Sequence, residues 1–411
     1  MKPAKSLFLI VLMALAARFT ARPAYAQQAS GIELENVAAL VNFGEQITFV
    51  ATIKSSLPIL DASIIVLDEV QGMTEVEPLV VQQDGRTEFR YDIRKKDLRP
   101  FSPVSWNYRI TLPGGSIVQS EVYSTLYQDN RFDWQTLEAG ILRIHWYGGD
   151  PGFGQSALVA AQSGLESVNR LIPTGLEQPV EIYIYSNLSD LRGTLVPGSQ
   201  EWVAGHADPS LGVVMVTIEP GPTQQNTMLQ RIPHELMHVM LYRAVGEGYR
   251  NIPAWLSEGT AGLAELVSDP GYDTILQEAV ARGDWIPLNT LCGSFPDDTD
   301  RAFLSYAEAR SFAGYLHDAY GSSGLLKLAT VYAQGADCRN GPELAFGIPL
   351  SRLEEEWHAS LTGETPLLPA RQNTSPYLVL LGLILIVPAT GILSTMLGKR
   401  NRHGSETYVR K

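Results

Sequence analysis

The 411-residue sequence predicts a multidomain chain. An all-β immunoglobulin- or fibronectin-like sandwich comes first, then an α+β domain, then a C-terminal transmembrane helix. Three observations carry this expectation. Residues 31–129 hold about seven short runs of alternating apolar residues, separated by turn residues. Beyond residue 134, strand-like runs come before helix-like ones, the order of an α+β domain. Residues 377–397 are uncharged and rich in Leu, Ile, Val and Gly, and their length suits a bilayer crossing.

The first 26 residues have the form of a signal peptide. Lys2 and Lys5 precede the apolar run Leu7 to Ala17, and Ala24-Tyr25-Ala26 supplies small residues for cleavage. In the sandwich, Ile47 to Ile53, Thr87 to Ile93 and Trp106 to Leu112 alternate as half-buried strands do. Asp84-Gly85, Pro100 and Pro113-Gly114-Gly115 mark turns between them. The sandwich has no Cys…Trp…Cys pattern and no cluster of His, Cys or acids spaced for chemistry. It is expected to act as a spacer or as a surface for a partner. Residues 129–134 read as the junction to a second domain, 134–361. There Ile141 to Tyr147, Val180 to Tyr185 and Val213 to Ile218 read as strands and Ser156 to Leu171 as a helix. Helices dominate from Thr223 onward.

The first of those later helices carries His234-Glu235-Leu236-Met237-His238. Histidines four apart on a helix project from one face, a turn apart, so both imidazoles reach one Zn²⁺. Glu235 between them is placed to take a proton from a water polarised by the metal. After a break containing Gly246, Gly248 and Pro253, the stretch Ala254-Trp255-Leu256-Ser257-Glu258-Gly259-Thr260-Ala261 reads as a second short helix. A helix, a loop and a returning helix would bring Glu258 over the histidine pair. Two imidazoles, one carboxylate and an open fourth position make a catalytic rather than a structural zinc site. A metzincin would need Gly at 241 and His at 244, where this chain has Leu241 and Ala244.

With both motifs in view, the chain resembles the gluzincin metallopeptidases, and more narrowly the peptidase-MA-like branch with its Trp-x-x-Glu-Gly-x-Ala second helix. The resemblance spans roughly Trp134 to Leu361. It implies Zn²⁺ held by His234, His238 and Glu258, with Glu235 as general base and a peptide or protein substrate. It also implies an edge strand ahead of the zinc helix that binds extended substrate, matched by position with Val213 to Ile218, although that run also reads simply as a core strand. Tyr306, in a helix read over Asp300 to Tyr320, resembles the tyrosine that hydrogen-bonds the oxyanion in this group, although packing alone also places a tyrosine there. Two departures stand out. Thermolysin-like members carry a histidine-orienting acid four residues after the ligand glutamate, where this chain has Gly262. The aminopeptidase branch has Asn before that glutamate, where this chain has Ser257. The alternative is a cell-surface binding protein whose sandwich works beside an inactive peptidase-like domain.

The remaining features concern location. Residues 362–376 are rich in Pro, Thr and Ser and read as a stalk before the 377–397 span. Lys399, Arg400 and Arg402 follow the span at once, which places the 398–411 tail in the cytoplasm and the two domains outside. The net charge is −13, and the two terminal segments hold nine of the 31 Lys and Arg but only one acid, Glu406. The outer portion is therefore strongly acidic, which argues against nucleic acid as a partner. Cys292 and Cys338 are the only cysteines, and export would allow them to pair. His206, His317 and His358 have no spacing that recruits them to a metal.

Overall fold

Alternation of buried and exposed side chains builds the N-terminal half. Ile47, Phe49, Ala51 and Ile53 of β2 (Gln46–Ser55) point inward in turn. They meet Ile64 and Val66 of β3 (Asp61–Asp68) and Val104, Trp106, Tyr108 and Ile110 of β6 (Pro103–Thr111) in one core. β2 lies between β1 (Ile32–Asn42) and β5 (Arg86–Asp92), all antiparallel. The facing sheet runs β4 (Met73–Pro78), β3, β6 and β7 (Ile117–Gln119), and β8 (Tyr123–Leu126) also pairs with β6. This is a two-sheet antiparallel sandwich. In a constant-type immunoglobulin domain the fourth strand completes the first sheet. Here β4 pairs with β3 in the second sheet instead.

The structure is a computed structural model that describes residues 31–175, 178–195 and 205–363. The expected signal peptide 1–26, the 377–397 span, the 398–411 tail and nearly all of the 362–376 stalk lie outside the described residues. Among the described residues no helix is long and apolar enough to cross a membrane.

The second half is α+β. Its sheet has the order β12 (Gly205–Asp208), β13 (Val213–Thr217), β11 (Val180–Tyr185), β10 (Leu142–Trp146) and β9 (Gln135–Ala139). β10, β11 and β13 are parallel, and the two outer strands are antiparallel to them. This corrects one expectation. The Val213 to Ile218 run is an interior strand, and the edge strand before the long helix is β12. The physical reason is visible in the residues. All five of Val-Val-Met-Val-Thr in β13 are buried, as befits a strand covered on both faces. Gly-His-Ala-Asp is short and polar enough for an edge.

One face of this sheet meets helices. Ile182, Ile184, Val214 and Val216 pack in one core with α1 (Pro151–Leu171) and α3 (Gln224–Val245); the short α2 (Leu188–Arg192) lies between them in sequence. The chain continues through α4 (Ala254–Ala264), α5 (Pro270–Arg282), α6 (Thr299–Ala333), α7 (Gly341–Phe346) and α8 (Leu350–Thr362). α6 is interrupted at Gly321, whose φ of 68° is unfavourable for other residues, so the predicted Asp300–Tyr320 helix stops where the axis breaks. On the opposite face, Tyr183, Tyr185, Val213 and Met215 pack with Phe101 from the sandwich and with Phe132 and Trp134 from the junction.

The junction is therefore packed rather than loose. Asp129 is fully buried and accepts from the Arg131 guanidinium at 2.6 Å, Tyr185 Oη at 3.1 Å and Thr194 Oγ1 at 3.0 Å. A buried carboxylate is tolerated when donors surround it in this way.

Cys292 and Cys338 form a disulfide that closes a 46-residue separation. Its loop also caps α4. The first N–H groups of a helix lack intrahelical partners. Here Ala254 N–H donates to the Cys292 carbonyl at 3.1 Å and Trp255 N–H to the Leu291 carbonyl at 3.1 Å.

Candidate active site

α3 is held on several sides, by β13, α1 and α4, so Ile232, Leu236, Val239 and Met240 are all buried. His234 and His238 share the remaining face. α4 returns alongside and is drawn close to α6 at Gly259, where any Cβ would sit 2.3 Å from the Ala309 carbonyl oxygen. That approach sets Glu258 against both histidines. Glu258 Oε2 lies 3.3 Å from His234 Nε2 and 3.8 Å from His238 Nε2, and the three ligand atoms fall within 4.8 Å of one another.

The other ring nitrogens are engaged by residues that sequence reasoning did not find. Glu265 Oε1 lies 2.9 Å from His234 Nδ1, and its side chain is only 2% exposed. A carboxylate only accepts, so Nδ1 carries a proton toward Glu265, and Nε2, which donates to Glu258 while the ring is charged, is the nitrogen left to ligate a metal. Tyr249 Oη lies 3.0 Å and Ser257 Oγ 3.2 Å from His238 Nδ1. Both imidazoles thus present Nε2 to one point. For donors about 2.0–2.1 Å from a tetrahedral Zn²⁺, neighbouring ligand atoms stand about 3.3 Å apart. The donor set fits that ion, and the 3.3 Å between Glu258 Oε2 and His234 Nε2 matches its spacing, while the 3.8 Å to His238 Nε2 is wider.

Glu265 depends on an unusual feature of α3. Pro233 lies inside the helix and has no N–H for the Leu229 carbonyl four residues back. That carbonyl instead accepts from Leu266 N–H at 2.9 Å. The defect in one helix thereby fastens the end of the other, next to the residue that holds His234. Gly164 of α1 makes room for the proline ring, since a Cβ there would meet Pro233 Cγ at 2.8 Å. Position 262, where thermolysin-like relatives carry an acid, packs instead against the Arg310 side chain, which donates to the Gly262 carbonyl at 3.1 Å. The spacing held a usable signal. Glu265 comes seven residues after Glu258, two helical turns along the same face.

Glu235 is buried beside the histidines and lines a cavity of about 400 Å³ together with His234, Arg231, Glu265, Tyr272 and Tyr306. Burial pushes its carboxyl up to about 7, against the opposing charges of His234 and Arg231. Burial pushes His238 down to about 4. Burial also works against protonation of His234, but its hydrogen bonds to Glu258 and Glu265 prevail and raise it well above the usual imidazole range. Burial disfavours the Glu258 carboxylate, yet the two histidines outweigh this and lower its pKa. Tyr306 is placed in the same cavity, its ring edge-on to Phe295 at 4.9 Å. Burial, then the charges of Glu258 and Glu235, raise its phenol and keep it a donor. β12 closes one side. A Cβ at Gly205 would fall 2.3 Å from Glu235 Oε1, so a larger residue here would displace that carboxylate. His206 is on the same strand. His317 and His358 have other neighbours: His317 faces Asp318 and Ser322, and His358 stacks on Trp285 at 4.0 Å.

If Glu265 sets the tautomer of His234, Glu265→Gln weakens zinc binding by about 10–100-fold while leaving the helical circular dichroism unchanged. Competition against a chelator measures this, and an unchanged affinity would contradict the role.

Residues 160–363 match the model of the Peptidase MA superfamily. No curated protein matches the chain. Among solved structures, an M1 zinc metallopeptidase from Deinococcus radiodurans aligns at 12% identity and a TM-score of 0.34, covering 80% of this chain and 93% of that one. A variant of a two-domain M1 zinc metallopeptidase bound to L-tryptophan aligns at 13% identity and 0.32, covering 79% and 90%. At 9% identity and 0.18, a structure titled as a bromine derivative of BhCBM56 covers 22% of this chain and 88% of its own. These structural likenesses are slight. The family match, which contains both metal-site motifs, places residues 160–363 in the Peptidase MA superfamily, with the gluzincin arrangement of His234, His238 and Glu258.

Proposed function

We propose that the chain is a zinc-dependent peptidase that hydrolyses peptide bonds outside the cytoplasm, anchored by its 377–397 segment. The observation that carries this is the convergence of His234 Nε2, His238 Nε2 and a Glu258 oxygen within 4.8 Å, beside the buried Glu235. Zn²⁺, when bound, supplies a Lewis acid that polarises the peptide carbonyl and lowers the pKa of water.

The chain's own groups do the rest. Glu235 takes the proton of the attacking water and returns it to the leaving amine. The Tyr306 phenol, kept protonated by burial, donates toward the oxygen that gains charge. β12, which among the described residues pairs only with β13, offers a short edge on which an extended peptide adds as a further strand beside Glu235. Gly205 is the point where the substrate backbone meets the general base. The cavity takes a side chain flanking the scissile bond, against Tyr272 and Phe303.

The base and the ligands separate experimentally. Glu235→Gln keeps zinc and lowers kcat by about 10²–10⁴-fold, because an amide accepts no proton. Glu258→Gln and His238→Ala lose the metal as well. Equal zinc loss in all three would reassign the base, and a fully zinc-loaded wild type that cleaves no peptide would favour a binding protein with an inactive domain.

For location, the support is the leader-like N-terminus, the uncharged 377–397 run with Lys399, Arg400 and Arg402 behind it, and a disulfide suited to an oxidising compartment. Ending the chain at Thr362 is expected to release a soluble protein that still binds zinc. Protease added to intact cells is expected to digest the outer domains and spare the 398–411 tail. A truncated protein that stays with membranes, or a tail cleaved in their place, would contradict the orientation.

A further inference from the structure

We propose that Arg99, on the sandwich, is a positioning residue for the edge strand β12, so that the N-terminal domain sets the peptide-binding edge of the site. This inference rests on the peptidase reading above and gives the sandwich a part in it.

The contact is specific. Arg99 Nη1 donates to both oxygens of Asp208, at 3.1 and 2.9 Å, and to Ser210 Oγ at 3.2 Å. Asp208 is the last residue of β12 and is buried, with its side chain 8% exposed. Its Oδ1 also accepts from Ser210 Oγ at 2.9 Å and from Leu211 N–H at 3.3 Å, which folds the β12–β13 connection around it. Without the guanidinium a buried carboxylate loses its counter-ion, and the turn built on it loses its reason to stay. β12 is four residues long and pairs only with β13 among the described residues. A shift at Asp208 therefore travels to Gly205, three residues away, where backbone and Glu235 are already in contact. Gly205 lies on the proposed peptide-binding edge, so such a displacement weakens strand addition of the substrate first.

A second observation marks the same loop. Arg99, Pro100, Phe101 and Ser102 form a turn closed by Ser102 N–H to the Arg99 carbonyl at 3.2 Å. Phe101, its second central residue, has a φ of 62°, a position that ordinarily favours glycine. Strain of this kind persists where surrounding structure enforces it. The Phe101 ring stacks on Tyr183 at 3.8 Å and is 3% exposed, wedged against the sheet face opposite α3. In the sheet register Tyr183 is paired with Met215, and Met215 with His206 of β12. The turn is also fixed to its own domain by Phe101 N–H to the Tyr127 carbonyl at 2.7 Å and Tyr127 N–H to the Ser102 carbonyl at 2.9 Å. One sandwich turn thus grips the sheet twice, by a ring on the row that ends in β12 and by a cation on the end of β12.

The test uses the full chain carrying Arg99→Ala, Arg99→Lys, or Arg99→Asp combined with Asp208→Arg. Amide hydrogen exchange, zinc content, and hydrolysis of an internally quenched peptide library are measured together. Arg99→Ala is expected to speed exchange selectively in residues 205–211 with zinc content unchanged. It is also expected to raise KM by about tenfold with a much smaller change in kcat. Arg99→Lys and the exchanged pair are expected to recover part of both effects. Wild-type exchange and KM in Arg99→Ala would overturn the proposal. So would loosening spread equally over β10, β11 and β13, which marks a general domain contact. If the wild type cleaves none of the library, the peptidase reading fails, and the exchange pattern alone decides whether Arg99 positions β12.

Discussion

His234 is gripped at both ring nitrogens by carboxylates, Glu265 at 2.9 Å and Glu258 at 3.3 Å, and the arrangement of the second domain follows from keeping those three side chains together. Holding two carboxylates, Glu265 buried and Glu258 half-buried, against one imidazole is costly unless each is paired. The cost is met by close packing of helices rather than by solvent. Gly259 lets α4 reach α6, the loop of the Cys292–Cys338 disulfide caps the start of α4, and Pro233 leaves a carbonyl free to tie down its end. Each of these acts on the backbone, so the helices carrying the histidines and Glu258 are held in place by the protein's own packing and hydrogen bonds. Such organisation is what a metal site needs to keep one coordination position open.

The same logic explains the uneven support of the two histidines. His234 has a full carboxylate behind it, whereas among the described residues His238 Nδ1 meets the hydroxyls of Tyr249 and Ser257. A carboxylate makes its imidazole a stronger donor to a metal, while hydroxyls fix orientation with little change in basicity. Ser257 stands where the aminopeptidase branch has asparagine, and in this chain that position serves His238. The departure noted in the sequence is thus part of the outer support of the site.

What was legible in the sequence was whatever depends on local periodicity. His234, Glu235 and His238 sit on one helical face by spacing alone, and Glu258 could be placed because its own motif announces a second helix. The alternation of the β2 and β6 residues gave the sandwich. Glu265 was missed because its role needs the end of α4 to meet Leu229 on α3, a contact created by an absent N–H at Pro233. The edge strand was misplaced because strand order in a parallel sheet is set by long-range packing, although the unbroken apolar run of Val213 to Val216 already suited an interior strand. The Arg99–Asp208 pair spans 109 residues and two domains, and no short motif records it.

X-ray absorption at the zinc edge, on the purified chain ending at Thr362, tests without any substrate whether two imidazole nitrogens and one carboxylate oxygen hold zinc. The expected spectrum shows nitrogen and oxygen neighbours only, at about 2.0–2.1 Å, with the outer-shell scattering of two imidazoles and none from sulfur at about 2.3 Å. A spectrum with a single imidazole, with sulfur ligands, or with no stoichiometric zinc would contradict the site built on His234, His238 and Glu258.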